Sequence, residues 1–143
     1  MDGPLPVPGV SPALLALIAL GGFVGGLTRY WLSGAVGRAF GEAFPWGILI
    51  VNVSGALCIG VLAGLLLPSG DLQGDAASLW AALVVGVLGS YTTVSSFSLQ
   101  TLAFLRAGDS RRALANVVLS VALCLGAAAL GYSLGTGLAG VGS

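Results

Sequence analysis

The chain has no histidine and no lysine, and its 143 residues carry only five basic and five acidic side chains. A soluble domain has about 25% charged residues. At 7% charged, 57% hydrophobic and a mean hydropathy of +1.04, this chain cannot cover itself with a hydrated surface. It reads as an integral membrane protein. All five basic residues are arginine and the net charge is zero, so nothing points to nucleic acid. The two cysteines, Cys58 and Cys124, lie in apolar segments, where a thiol acts as a small hydrophobe. No disulfide is expected, and without histidine a zinc or redox site has almost no ligands to use. No acidic residue falls within an apolar segment, which removes the carboxylate relay of a proton-coupled transporter. No base stands by to activate the serines, so the chain is not expected to be an enzyme.

What is present is organised into four apolar segments, residues 12–36, 45–67, 78–105 and 112–137. Each meets the roughly 20 residues needed to cross the hydrocarbon core. Residues 1–11 hold three prolines and two glycines and read as a flexible tail, with no basic stretch to mark a cleaved signal peptide. Pro12 and Pro45 suit first helical turns, and Pro68 suits a helix stop. The expectation is an all-α, single-domain bundle of four transmembrane helices over residues 1–143. The pairs Gly22/Gly26, Gly60/Gly64 and Gly131/Gly135 make faces that allow close helix approach, in a dimer or within one subunit. Arg38, Arg106, Arg111 and Arg112 fall on one side of the membrane, against Asp2, Asp71 and Asp75 with no basic residue on the other. The positive-inside rule then puts both termini outside the plasma membrane of a multi-pass protein.

The third segment contains GVLGSYTTVSSFSLQ, residues 86–100, a dense run of small and hydroxylated residues within an otherwise apolar span. Gly89 and the β-branched Thr92 and Thr93 disfavour a regular helix. Backbone freed at membrane depth must face protein or a wet cavity. The segment is expected to break near Gly89–Thr93 and turn carbonyls toward an ion; the alternative is a small-residue packing face. Asn52, Ser95, Ser96, Asn116 and Ser120 are neutral donors at membrane depth, a set that suits an anion shedding its water. Asn52 either donates to that anion or ties two helices together, and the first is the expectation. Asn116, Ser120 and Cys124 share one helical stripe, a polar track or a packing face. Arg29 either creates an electropositive vestibule or snorkels beside Tyr30 and Trp31.

Three stretches resemble the Fluc (CrcB) family of fluoride channels. GGFVGGLTRY is similar to its GxxGxxxRY pattern, FPWGILIVN to FPxGTLxVN, and GVLGSYTTVSSFS to GxxGxxTTFSTFS, in that order along nearly the whole chain. The resemblance implies an antiparallel dimer with two pores along the interface. It also implies a structural sodium ion held by backbone carbonyls at Gly89 and Thr92. Asn52 would be the pore asparagine, Arg29 the vestibule arginine, and Phe97 one of two pore phenylalanines offering a positive ring edge. Val94 stands where the first phenylalanine is usual, Ile48 where a threonine is usual, and Asn116 where a tyrosine is usual. The expected function is passive fluoride export that protects the cell. The alternative is a scaffold subunit of a mixed dimer with a degraded pore of its own. A small multidrug-type exporter is a poor third, because the first segment lacks that family's glutamate.

Overall fold

The computed structural model describes residues 11–67 and 74–141, and its helices alone account for the architecture. Helix α1 spans Pro12–Phe40. Ser11 caps it, the side-chain oxygen accepting from the Leu14 N–H at 3.1 Å, and Pro12 fills the first turn, where no N–H is needed. The helix ends at Gly41, whose φ of +81° is a left-handed conformation that glycine adopts without strain. Helix α2 spans Trp46–Leu66, with Pro45 as the residue before the helix instead of within its first turn. The third span is composite. We label residues 74–91 α3; it is α-helical over Gly74–Trp80, π-helical over Ala81–Leu88 and α-helical again over Gly89–Tyr91. Helix α4, Val94–Arg106, completes that span, and α5 runs over Ser110–Val141.

Four stretches are long and apolar enough to cross a membrane: Pro12–Phe40, Trp46–Leu66, Ala77–Arg106 and Ser110–Gly140. The chain is therefore a multi-pass membrane protein, which in a bacterium means the plasma membrane. The first helix runs four residues beyond the expected Val36, so Arg38 lies in its last turn, where a cation complements the helix dipole. Arg106 does the same for α4. Asp109 caps α5 through a 3.0 Å bond from the Arg112 N–H to Oδ1, and its Oδ2 lies 3.4 Å from Arg112 Nε. Of the expected tail, residues 1–11, Ser11 belongs to α1 as its cap; residues 1–10, and Pro68, lie outside the described residues.

The helices pack as two parallel pairs. In α2 and α5, Gly60 and Gly64 meet Ala128, Tyr132 and Thr136, and Gly131 and Gly135 meet Leu57 and Val61. A Cβ at any of these four glycines would sit 2.3–2.4 Å from a backbone carbonyl oxygen, closer than any side chain tolerates. These two glycine pairs therefore serve packing within the subunit. In α1, which packs on α3, the buried glycines are Gly21 and Gly25, one residue away from the expected Gly22/Gly26 pair. A Cβ on Gly25 would fall 2.0 Å from the Val87 oxygen, whereas one on Gly26 would meet nothing within 4 Å. Gly22 and Gly26 therefore lie beside the seam within the subunit and not in it. Buried apolar side chains are few, Leu49, Val51, Leu88, Tyr91 and Ala113, while Phe23, Leu20 and Leu125 point outward, as a lipid solvent allows.

Candidate functional site

The third span breaks at Thr92 and Thr93, whose ψ angles of 159° and 123° are extended. Gly89 stays helical, so the break is narrower than the Gly89–Thr93 window, and regular α-geometry is lost earlier, at the π-helical Ala81–Leu88. The hydroxyls explain the position of the break. Thr92 Oγ1 donates to the Leu88 carbonyl at 2.9 Å, alongside the Thr92 N–H, closing the first half. Thr93 caps the second half, its Oγ1 accepting from the Ser96 N–H at 3.2 Å. Ser95 and Ser96 complete this cap, with hydroxyls 3.1 and 3.2 Å from Thr93 Oγ1.

Three residues outside the span hold the break. Asn52 Oδ1 accepts from the Thr93 N–H at 2.8 Å, and Asn52 Nδ2 donates to the Thr93 carbonyl at 2.9 Å. The side-chain amide thus pairs with both backbone groups of one extended residue, as an adjacent β-strand would. Arg29 turns inward, Nη1 donating to the Thr92 carbonyl at 3.4 Å. Ser54 and Tyr91 share a hydroxyl contact of 2.8 Å. Gly55 leaves room for all of this: a Cβ there would lie 2.3 Å from Thr92 Cγ2.

These bonds release two carbonyls in particular. In an unbroken helix, Gly89 would accept from the Thr93 N–H and Thr92 from the Ser96 N–H. The first of those donors goes to Asn52 and the second to Thr93 Oγ1. The Gly89 carbonyl is thereby left without its helical donor, and the Thr92 carbonyl accepts from Arg29 in place of its own; neutral oxygens of this kind fit a hard monovalent cation. Among the described residues there is no cluster of three or more acidic, histidine or cysteine ligands.

Gly89, Thr92, Thr93, Val94 and Phe97 line a cleft of about 540 Å³, with Asn52, Ala56 and Ile59 on the α2 side and Ser120, Val121, Cys124 and Leu125 on the α5 side. It contains no acidic or basic group. Asn52 keeps a second amide N–H, and the Ser120 hydroxyl makes no hydrogen bond among the described residues. Val94 is 77% exposed, so one side of the cleft is open at the surface of the subunit. A second cleft, of about 520 Å³, lies toward the N-terminus of α2 and the C-terminus of α4 and is lined by Ile48, Gln100, Phe44, Arg38 and Glu42 among others. Gln100 Oε1 is buried there without a partner among the described residues.

The structure thus gathers Asn52, Gly89, Thr92, Val94, Phe97 and Ser120 and leaves three expected donors outside that group. Ser95 and Ser96 serve the Thr93 cap. Asn116 is 2% exposed and donates to Thr101 Oγ1 at 2.9 Å, tying α5 to α4 away from the first cleft. Asn116, Ser120 and Cys124 share one covered face of α5, as expected, but only Ser120 and Cys124 line the cleft. The capping role of Thr93, the Tyr91 contact of Ser54, the need for a glycine at position 55 and the Thr101 partner of Asn116 were not read from the sequence. Only Thr93 carried a usable sign, a threonine three residues before a serine at the start of a helix.

A family model described as CrcB-like protein, Camphor Resistance (CrcB), matches residues 16–132. The chain belongs to the CrcB-like family. Relatives in that family align over most of both chains. Fluoride-specific ion channel FluC 2 of Rhodopseudomonas palustris (strain BisB18) is 53% identical over 119 residues, 83% of this chain and 90% of the relative. Fluoride-specific ion channel FluC of Opitutus terrae is 49% identical over 126 residues, 88% and 95% of the two chains. FluC 4 of Brucella abortus is 49% identical over 116 residues, 81% and 86%. The CrcB-like match covers α1 through most of α5, and therefore the whole of the break and both clefts.

Proposed function

We propose that the chain is a subunit of a fluoride channel that lets fluoride leave the cell down its gradient. It acts as a channel and not as an enzyme. The observation that carries the reading is the first cleft: donors from Asn52 and Ser120 at membrane depth, beside a helix break, with no carboxylate. Fluoride sheds a tightly held water shell only where donors replace it, and an amide N–H, a hydroxyl and the positive edge of the Phe97 ring are such donors. Relatives named as fluoride-specific ion channels give the anion its identity. The protein purified and reconstituted into liposomes is expected to release loaded fluoride within seconds to minutes while retaining chloride, followed with ion-selective electrodes. Equal release of both ions, or of neither, would contradict the reading.

The proposal includes a structural sodium ion held by the Gly89 and Thr92 carbonyls, whose helical donors are diverted. Bound there, it would supply positive potential near the midplane without itself moving. The open side of the first cleft is to be closed by a second subunit in antiparallel orientation. Because Val94 cannot present a ring edge, both pores of a homodimer would lack that contact, whereas a mixed dimer whose partner carries a phenylalanine there would keep it in one.

One observation favours a mixed dimer. Arg38, Arg106, Arg111 and Arg112 all lie at one end of the bundle, at the C-termini of α1 and α4 and the start of α5. Such a bias inserts nearly every copy one way, so oppositely oriented partners have to come from a second gene product. A Gly3→Cys chain, in a background with Cys58 and Cys124 replaced by serine, is expected to label almost completely from outside the cell with an impermeant thiol reagent. Half labelling, with robust efflux from the single gene product, would establish a homodimer of dual topology.

A further inference from the structure

We propose that Arg29 sets the affinity and charge selectivity of the cation site at the break, favouring monovalent over divalent ions; this rests on the sodium site proposed above. The guanidinium donates from Nη1 to the Thr92 carbonyl at 3.4 Å, and that carbonyl is one of the two oxygens released toward the cation. Two positive groups therefore address one neutral oxygen. Among the described residues Arg29 has no acidic partner; their single ion pair joins Asp109 to Arg112. The first cleft, which Gly89 and Thr92 line, likewise contains no carboxylate. The arginine charge is thus not neutralised locally, and it acts on whatever ion the carbonyls hold.

The selectivity follows from Coulomb's law. Repulsion between Arg29 and the ion grows in proportion to the ion's charge. Whatever factor the arginine removes from sodium binding, it removes about the square of that factor from calcium binding. Neutral carbonyls alone do not discriminate in this way, since their attraction for a divalent ion is the larger. Linkage makes the effect reciprocal: an ion at the site loosens the Arg29–Thr92 bond by as much as the bond weakens the ion.

The test is a titration of the purified full-length channel with NaCl or CaCl₂ at constant ionic strength, balanced with N-methylglucamine chloride and read by isothermal calorimetry and by thermal unfolding. Wild type is expected to bind sodium more tightly than calcium. Arg29→Gln, which keeps an N–H donor but removes the charge, is expected to tighten sodium binding about tenfold and calcium binding about a hundredfold. Arg29→Lys is expected to retain the wild-type order. Calcium binding as tight as sodium binding in wild type overturns the inference without any variant. Unchanged affinities in Arg29→Gln overturn it while leaving the sodium site intact. No binding of either ion to any form removes the sodium site itself, and the inference with it.

Discussion

Asn52→Asp is expected to lower fluoride efflux from liposomes by a hundredfold or more. The substitution is nearly isosteric, so the Thr93 N–H retains its acceptor. The Nδ2 donor to the Thr93 carbonyl is lost, and a carboxylate now faces the cleft. A negative charge about 4 Å from the permeating anion costs about 4 kcal/mol at an effective dielectric constant of about 20. Each 1.4 kcal/mol or so of barrier is about tenfold in rate. Electrostatics alone therefore accounts for two to three orders of magnitude, and the lost hydrogen bond adds to it. The measurement pairs efflux with size-exclusion elution and thermal unfolding. Wild-type efflux from a folded Asn52→Asp protein would leave Asn52 only its structural role, the clasp on Thr93.

Gly55→Val is expected to abolish efflux by a different route, through loss of the break itself. Even the first added carbon would lie 2.3 Å from Thr92 Cγ2 and 3.2 Å from the Tyr91 ring. Neither neighbour has space to retreat, since Tyr91 is buried and hydrogen-bonded to Ser54. Overpacking of a tight site costs typically about 1–3 kcal/mol, and here two further atoms are forced into the same place. Gly137→Ala is the matched control, because a Cβ there meets nothing within 4 Å. The expected result is a folded, active Gly137→Ala protein and a Gly55→Val protein with a lowered unfolding temperature and no selective efflux. Full activity of Gly55→Val would mean that α2 and the break sit further apart than the structure has them.

The four spans were legible because length and apolarity alone decide what crosses a membrane, and the break was legible because consecutive threonines interrupt a helix with their own hydroxyls. The partners of the break were not. Asn52 and Thr93 are 41 residues apart and Arg29 and Thr92 are 63 apart; no local pattern encodes which side chain reaches which carbonyl. The Thr101 contact of Asn116 was hidden for a related reason. A helical stripe gives the direction of a side chain but not its neighbour, and Thr101 on α4 satisfies the amide before it can reach the cleft. The π-helical Ala81–Leu88 was hidden by uniform apolarity, since its residues give no periodic signal against which a wider turn would stand out.

The pairing of α2 with α5 has a consequence for how the chain is made. The glycines of α2 find their counterparts two spans later, on α5: Leu66 ends α2, and Gly131 emerges 131 − 66 = 65 residues later. At about 5–20 residues per second, the nascent α2 waits roughly 3–13 s with its small-residue face turned to lipid. A ribosome stalled between Arg106 and Gly131 leaves that face without its natural cover, available to any other helix with a matching groove.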